Sequence, residues 1–176
     1  MEKETVCYVL ERGLKKKGLR FAEGSTDSEP YLWNYTSADY KGLKVIPFIT
    51  YVSPPQILDD TGYLPITLVS EKPLLVTPEV EELLLTLNGI SILNFYAVHN
   101  GQIRLKGVIP FDQQMVQAYF RRQGNPLSDK FIIGLASCNV RFTLNHPYIR
   151  QVGEGKLTAG DAIEAYWKRN RELKST

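Results

Sequence analysis

The sequence predicts an α+β fold of two layers, in which helices flank a mostly antiparallel, five-stranded sheet and the C-terminal part is helical. Three observations support this fold class. The dipeptide Asn100-Gly101 separates two runs rich in β-branched and aromatic residues, which is typical of a two-residue hairpin because both turn positions need positive φ. Thr77-Pro78-Glu79 has the residue types that begin a helix. After Pro110, apolar residues recur at helical spacing.

Length and composition predict a single domain of an ordinary globular protein. The chain has 176 residues, of which 43% are hydrophobic and 23% are charged, and this length is enough to bury a core. We expect one α+β domain over residues 1–176, with its core in about residues 3–152 and a C-terminal helix over 158–173. The 21 basic and 19 acidic residues leave a net charge of +2, which does not indicate a polyanionic partner.

The N-terminal residues and the cysteines predict a reducing, cytoplasmic location. The N-terminus lacks the basic start and the apolar core of a signal peptide, and no run approaches the ~18 apolar residues that span a bilayer. Cys7 and Cys138 are the two cysteines, too few for a disulfide framework or a zinc site. Both lie among apolar residues, so we expect buried free thiols. We expect no membrane partner.

The first half of the chain predicts one helix and three strands. Residues 3–17 have apolar positions at helical spacing, early glutamates and a run of lysines at the end, an order that suits the helix dipole. Pro47 and Pro65 interrupt two strand candidates, which favours an edge position or a bulge. The predicted strands, which share β-branched and aromatic residues, cover 31–36, 43–52 and 63–70. Residues 53–62 are expected to form a connection with a turn at Asp59-Asp60-Thr61-Gly62.

The second half begins with a predicted helix and the hairpin. Thr77 is the expected N-cap of the helix, and Gly89 is expected to end it in the left-handed conformation. The hairpin strands are predicted over 92–99 and 102–109, and Pro110 is expected to close the sheet.

The remainder of the chain predicts three helices. They share apolar positions at helical spacing and cover 111–123, 128–151 and 158–173. Pro147 should kink or end the second of these helices. Thr158 with Asp161 resembles a capping box at the start of the last one.

A two-residue turn at Asn100-Gly101 fixes which side chains share a face of the sheet. It places Val98 opposite Ile103 and Tyr96 opposite Leu105, on an apolar face that should pack on helices. The opposite face is expected to mix apolar residues with two cations. The candidate residues for protein or peptide binding on that face are Leu93, Phe95, Arg104, Lys106 and Val108. The alternative is a solvated face whose side chains only pack across strands.

No pattern of catalytic or metal-binding residues is recognisable, so we predict a protein that is not an enzyme and has no metal or cofactor. His99 and His146 have no partner at a metal-ligand spacing. Gly153-Glu-Gly-Lys156 lacks the Ser or Thr of a phosphate loop. Asp60-Thr61-Gly62 matches the aspartic protease signature over three residues only, and we interpret it as a turn. A small enzyme built from Asp59, Asp60 and a tyrosine stays an alternative.

Single-stranded nucleic-acid binding is a further alternative. Arg121-Arg122 and the basic C-terminal helix supply cations, and the lysines at 15–17 form another run, which we interpret as a solvated helix end. The ten tyrosines, seven phenylalanines and two tryptophans offer rings that could stack on bases. The near-neutral charge and the lack of an RNA-recognition aromatic motif argue against this function.

The stretch from Leu83 to Phe142 resembles a known family. Its leucine-rich helix, Leu83-Leu-Leu-Thr-Leu-Asn88, leads into a strand, the Asn-Gly turn, a second strand and a helical C-terminus. This order resembles the type III secretion chaperone-like domains, and most closely the YbjN-like branch. The resemblance implies a non-enzymatic, protein- or peptide-binding dimer of the bacterial cytoplasm. We therefore expect a chaperone-like regulatory module with a protein or peptide partner, and homodimerisation is a hypothesis.

Overall fold

The computed structural model describes residues 1–18, 31–35, 48–91 and 94–174. The helices in these ranges are α1 (Lys3–Lys16), α2 (Pro78–Asn88), α3 (Gln113–Phe120), α4 (Pro126–Gly153) and α5 (Ala159–Lys174). The strands are β1 (Tyr31–Tyr35), β2 (Phe48–Val52), β3 (Gln56–Leu58), β4 (Thr61–Ser70), β5 (Asn94–His99) and β6 (Gln102–Asp112). The predicted α+β class is confirmed. Residue 36 of the first predicted strand and residues 43–47 of the second, with Pro47, lie outside the described residues.

Five strands form an open antiparallel sheet in the order β1-β2-β4-β6-β5. The short β3 pairs with the start of β4, with Leu58 opposite Thr61. Residues 53–62 are therefore not a simple connection, because they contain this strand and the tight turn at Asp59-Asp60 that follows it. The turn was predicted, but β3 was missed because three residues carry too little periodicity to be recognised.

Two prolines lie within strands at places where the sheet needs no N–H donor. Pro65 is in β4 and lies opposite the bend that connects β2 to β3. Its carbonyl accepts a hydrogen bond of 3.0 Å from Ser53 N. Pro110 lies in β6 opposite Tyr63. In the hairpin register, the backbone nitrogen of Pro110 points toward the β5 side of β6. The described β5–β6 pairing ends at Gly107, so no β5 residue in that pairing lies opposite Pro110. The prediction that Pro110 closes the sheet was wrong, because a proline at such a position costs no ladder bond.

Side-chain caps define most helix starts. The Thr77 hydroxyl accepts from Val80 N at 3.2 Å, as predicted, and the Thr158–Asp161 capping box is present, with Asp161 N donating to Thr158 Oγ1 at 3.1 Å. Because β6 extends to Asp112, helix α3 begins later than predicted, at Gln113, with the Asp112 carboxylate as its cap.

One predicted helix end was wrong. Gly89 has φ of −63°, so α2 does not end in a left-handed residue. Pro147, expected to kink or end its helix, lies inside α4, which continues to Gly153.

Helix α4 lies across one face of the sheet and forms the centre of the core. It contacts β4 and β6 and each of the other four described helices. A Cβ at Gly134 would lie 2.9 Å from Ile109 Cγ1, and one at Gly107 would lie 3.0 Å from Cys138 Sγ. A side chain at either position would force Ile109 or Cys138 to shift, because helix and sheet approach so closely there. The largest buried side chains at this interface are Phe131, Phe142, Leu135, Leu64, Ile66, Leu68 and Leu105.

The edge strand β5 is held to the helix layer by polar side chains. The carboxamide of Asn88 accepts from Tyr96 N at 2.6 Å and donates to Tyr96 O at 2.9 Å. Arg141 in α4 donates to Leu87 O and to Asn94 O, each at 2.6 Å. The Asn88 side chain thus satisfies the outward-facing backbone groups of Tyr96 as a neighbouring strand would.

We expect Asn88→Ala to lower the free energy of unfolding by about 2 kcal/mol, because it leaves both backbone groups of Tyr96 without a partner in a half-buried setting. Urea denaturation measures this change. Thr86→Ala is the control, since its exposed hydroxyl bonds only Glu82 O in its own helix, and we expect a change within about 0.5 kcal/mol. Equal effects of the two substitutions would contradict the role given to Asn88.

Candidate protein-binding surface

The hairpin register is the one predicted, and it gives the sheet two distinct faces. Asn100 and Gly101 both have positive φ, 50° and 68°, and β5 and β6 pair with Val98 opposite Ile103 and Tyr96 opposite Leu105. The inner face packs on the helices. We call the other side the outer face; in the described part of the sheet it carries Ile49, Tyr51, Tyr63, Pro65, Thr67, Val69, Phe95, Ala97, Arg104, Lys106 and Val108.

The predicted binding residues lie on the exposed part of the outer face. The side chain of Phe95 is 49% exposed and that of Val108 is 42% exposed. Arg104 and Lys106 are on the same strand as Val108, with Lys106 opposite Phe95, and both are half-buried. Leu93 lies outside the described residues. Val69, on the same face, is buried, so the open area is at the β5–β6 side of the sheet.

One residue assigned to the apolar inner face is more exposed than predicted. Val98 is 37% exposed, because it is next to the tip of the hairpin, whereas Tyr96, two residues earlier, is 3% exposed. Alternation predicts the side of the sheet on which a residue lies, but not how far the helix layer extends along the strand.

The two cations of the outer face form no ion pair with any residue in the described ranges. Ion pairs among the described residues include Lys17–Asp129, Arg150–Glu154 and Lys156–Glu154, and these do not involve Arg104 or Lys106. Arg104 donates from Nη2 to Gln102 Oε1 at 3.3 Å, and its buried Nε has no hydrogen-bond partner among the described residues. Because Arg104 forms no ion pair with a described residue, the outer donors of its guanidinium, rather than the buried Nε, are suited to bind a carboxylate of a partner.

A second apolar feature adjoins Val108. A cavity of about 260 Å³ lies between β6 and α4, and Val108, Pro110, Ile133 and Cys138 are among the residues that line it. Ile133 is 70% exposed at its rim. The outer face therefore continues at Val108 into an apolar depression that could accept a side chain of a partner.

The cysteines differ in burial. Cys138 is buried, as predicted, whereas Cys7 is only half-buried, and the two cysteines form no disulfide. Asn94 donates to Cys138 Sγ at 3.7 Å, yet burial raises the pKa of the Cys138 thiol to about 11. A thiol with this pKa is protonated at neutral pH and is a poor nucleophile.

The described residues bring together few groups with catalytic chemistry. Asp59 and Asp60, considered for a carboxylate–tyrosine site, are both exposed on the β3–β4 turn. Ser70 Oγ lies 3.4 Å from His146 Nε2, a pair that the sequence did not reveal because the two residues are far apart in the chain. No group of three potential metal ligands occurs in the parts of the chain that the structure describes.

His146 is held in its neutral form. Burial, and then the nearby Arg150, lower the pKa of the imidazole. The ring packs on Phe142, with 6.3 Å between the ring centroids. These contacts favour a structural role in the core beside Ser70.

The residues that position the surface were not predicted as functional. Arg141, Asn88 and Asn145 hold the inner side of β5, the last through a 2.8 Å hydrogen bond from its Nδ2 to the Tyr96 hydroxyl. Burial raises the pKa of that phenol. The sequence offers one signal for these contacts, which is that polar residues recur on an otherwise apolar helix. This pattern does not show which residues the polar side chains contact.

The fold is thus an open antiparallel sheet with helices packed on one face, an α+β class that supports many functions. The sequence matches no protein-family model and no curated protein, so the resemblance to YbjN-like domains stays a prediction. Among the described helices, none has the length and apolar content needed to cross a membrane.

We expect the thermal stability of the protein to fall as the pH is lowered from about 7.5 to about 5.5. The unfolded chain binds a proton at the ordinary histidine pKa of 6.5, whereas the folded chain resists protonation of His146, so the free energy of unfolding decreases as the pH falls through 6.5. His146→Gln should reduce this dependence, and His99→Gln, at the exposed hairpin, is the control. A melting temperature that depends on pH equally in the wild type and in both variants would contradict the role given to His146.

Proposed function

We propose that the protein is a non-enzymatic protein-binding module of the bacterial cytoplasm that holds an acidic, partly apolar segment of another protein on its outer face. One observation carries the proposal: Arg104 and Lys106 have no acidic partner among the described residues and lie beside the exposed side chains of Phe95 and Val108. Exposed apolar residues bordered by unpaired charge are typical of a recognition surface.

The chemistry of the outer face favours a partner that combines carboxylates with apolar side chains. The apolar anchors would supply the burial energy, with Phe95 and the depression at Val108 as the central contacts. The cations would fix the orientation of the partner and accelerate its association. An acidic segment lacking apolar residues would pair with the cations but would leave the apolar anchors without contacts.

A second copy of the chain fits the outer face poorly. A two-fold contact through this face would bring Arg104 and Lys106 of both copies together without described acids to pair them. The backbone groups of Tyr96 at the β5 edge are already bonded to Asn88, so pairing of two β5 edges would require breaking these bonds. We therefore propose a different protein as the partner, and sedimentation shows whether the chain dimerises by another surface.

We expect Phe95→Ala with Lys106→Glu to weaken partner binding by about tenfold to a hundredfold, because the double variant removes an apolar anchor and reverses a charge. The partner is identified by affinity capture and mass spectrometry and then titrated, in pure form, against the variants. Phe95 is exposed and Lys106 is only half-buried, so the melting temperature should stay near that of the wild type.

The matched control is Leu85→Ala with Lys168→Glu. It makes the same kinds of change at exposed positions of α2 and α5, and binding should be unchanged. A partner that binds both double variants as tightly as the wild type would refute the assignment of the outer face.

A further inference from the structure

A cleft of about 720 Å³ lies between α1 and the connection from α3 to α4. It shares no residue with the outer face. Its charged lining residues are Arg12, Lys16, Lys17, Arg122 and Asp129, and its aromatic lining residues are Tyr8, Tyr119 and Phe120. The lysine run and the Arg121-Arg122 pair, which are far apart in the sequence, thus each contribute cations to one cavity.

The cleft carries excess positive charge. Asp129, its one acidic residue, is bound to Lys17. Arg12, Lys16 and Arg122 form no ion pair with any residue that the structure describes. Two N-terminal amides of α4 are already bonded within the cap, because Ser128 N donates to Asn125 Oδ1 and Asp129 N donates to Asn125 O. Attraction for an anion therefore comes from side chains spread along the cleft.

Exposed aromatic rings stand next to these cations. Phe120 is 57% exposed and Tyr8 is 45% exposed. Tyr119 contacts both edge-on, with ring centroids 5.3 Å from that of Phe120 and 6.2 Å from that of Tyr8. The guanidinium of Arg12 already lies over Tyr8, 5.4 Å from the ring centroid, so Phe120 offers the more accessible ring.

The backbone at Arg122 is unusual. The bonds from Arg122 N to Tyr119 O, 3.1 Å, and from Gln123 N to Ala118 O, 2.9 Å, form a Schellman motif at the end of α3. Arg122 occupies its left-handed position with φ of 59°, where glycine is preferred. The charged side chain of Arg122 thus lies at a strained backbone position beside the cleft. Strain of this kind is frequent at binding sites.

We propose that the cleft binds nucleotide units, with their phosphates on Arg12, Lys16 and Arg122 and a base stacked on Phe120. Unpaired cations alone would suit any anion. The exposed ring beside them adds a surface for a planar base, and the combination of a cationic groove with stacking rings is how single strands are bound without sequence preference. The volume suits a ligand of this size.

The test titrates the full chain into a fluorescently labelled oligothymidylate of about twelve nucleotides, at several salt concentrations, with ATP and AMP as competitors. We expect Arg122→Gly to weaken binding about tenfold and to make the slope of log K against log salt shallower by about 0.7, since one phosphate contact is lost. Because glycine suits the left-handed position, the melting temperature of this variant should not fall, which separates lost binding from lost folding. Phe120→Ala should weaken binding at least fivefold.

The control is Arg121→Gln, which removes the same charge one residue away. Arg121 does not line the cleft, and its Nη2 bonds Gln117 Oε1 at 3.1 Å. We expect less than a threefold effect. Oligothymidylate that binds at least tenfold more tightly than ATP identifies a strand as the ligand, and equal affinities identify the free nucleotide.

Three results would overturn the proposal. The first is no binding of any of these probes at millimolar concentration and low salt. The second is an equal loss in Arg121→Gln and Arg122→Gly, which would indicate only diffuse attraction. The third is binding that depends on Arg122 but not on Phe120, or that is matched by polyglutamate, since the cleft would then hold a simple anion or an acidic peptide. None of these results bears on the outer face.

Discussion

The contact of Arg141 with two backbone carbonyls connects the helix layer to the edge of the sheet. Its guanidinium joins Leu87 O, in the last turn of α2, to Asn94 O, at the start of β5, and it lies 5.4 Å from the centroid of the Tyr96 ring. A cation at the C-terminal end of a helix is also stabilised by the helix dipole. Because β5 is an edge strand with one neighbour, these contacts determine where the hairpin sits, and the position of Phe95 on the outer face depends on them.

The two proposed sites use different elements of the fold and different physical means. The outer face presents apolar side chains on a rigid sheet, and its cations serve mainly to orient a partner. The cleft presents cations and rings from helix ends, which suits a flexible, charged ligand. Because they share no residue, the proposed sites do not compete for the same side chains, and one molecule could carry a nucleotide-bearing ligand and a protein partner together.

Most of the local turn and cap chemistry was predictable from the sequence, apart from the end of α2 at Gly89, whereas contacts between distant segments were not. The Asn100-Gly101 turn, the Thr77 cap and the Thr158–Asp161 box depend on residues a few positions apart, and all are present. Pro110 was misjudged because its effect depends on where another strand ends. The cleft was missed for the same reason: Lys16 and Arg122 are unremarkable in their own segments, and only the packing of α1 against α3 and α4 brings them together.

The carboxamide of Asn88 also limits how the molecule can associate with itself. An open sheet edge can template the addition of further strands, and many proteins guard such edges against aggregation. At Tyr96 the outward N–H and C=O are already occupied by a side chain from the preceding helix. A growing fibril would therefore have to detach α2 before it could extend from this edge. The two hydrogen bonds that hold the hairpin in place thus also prevent another strand from pairing with Tyr96.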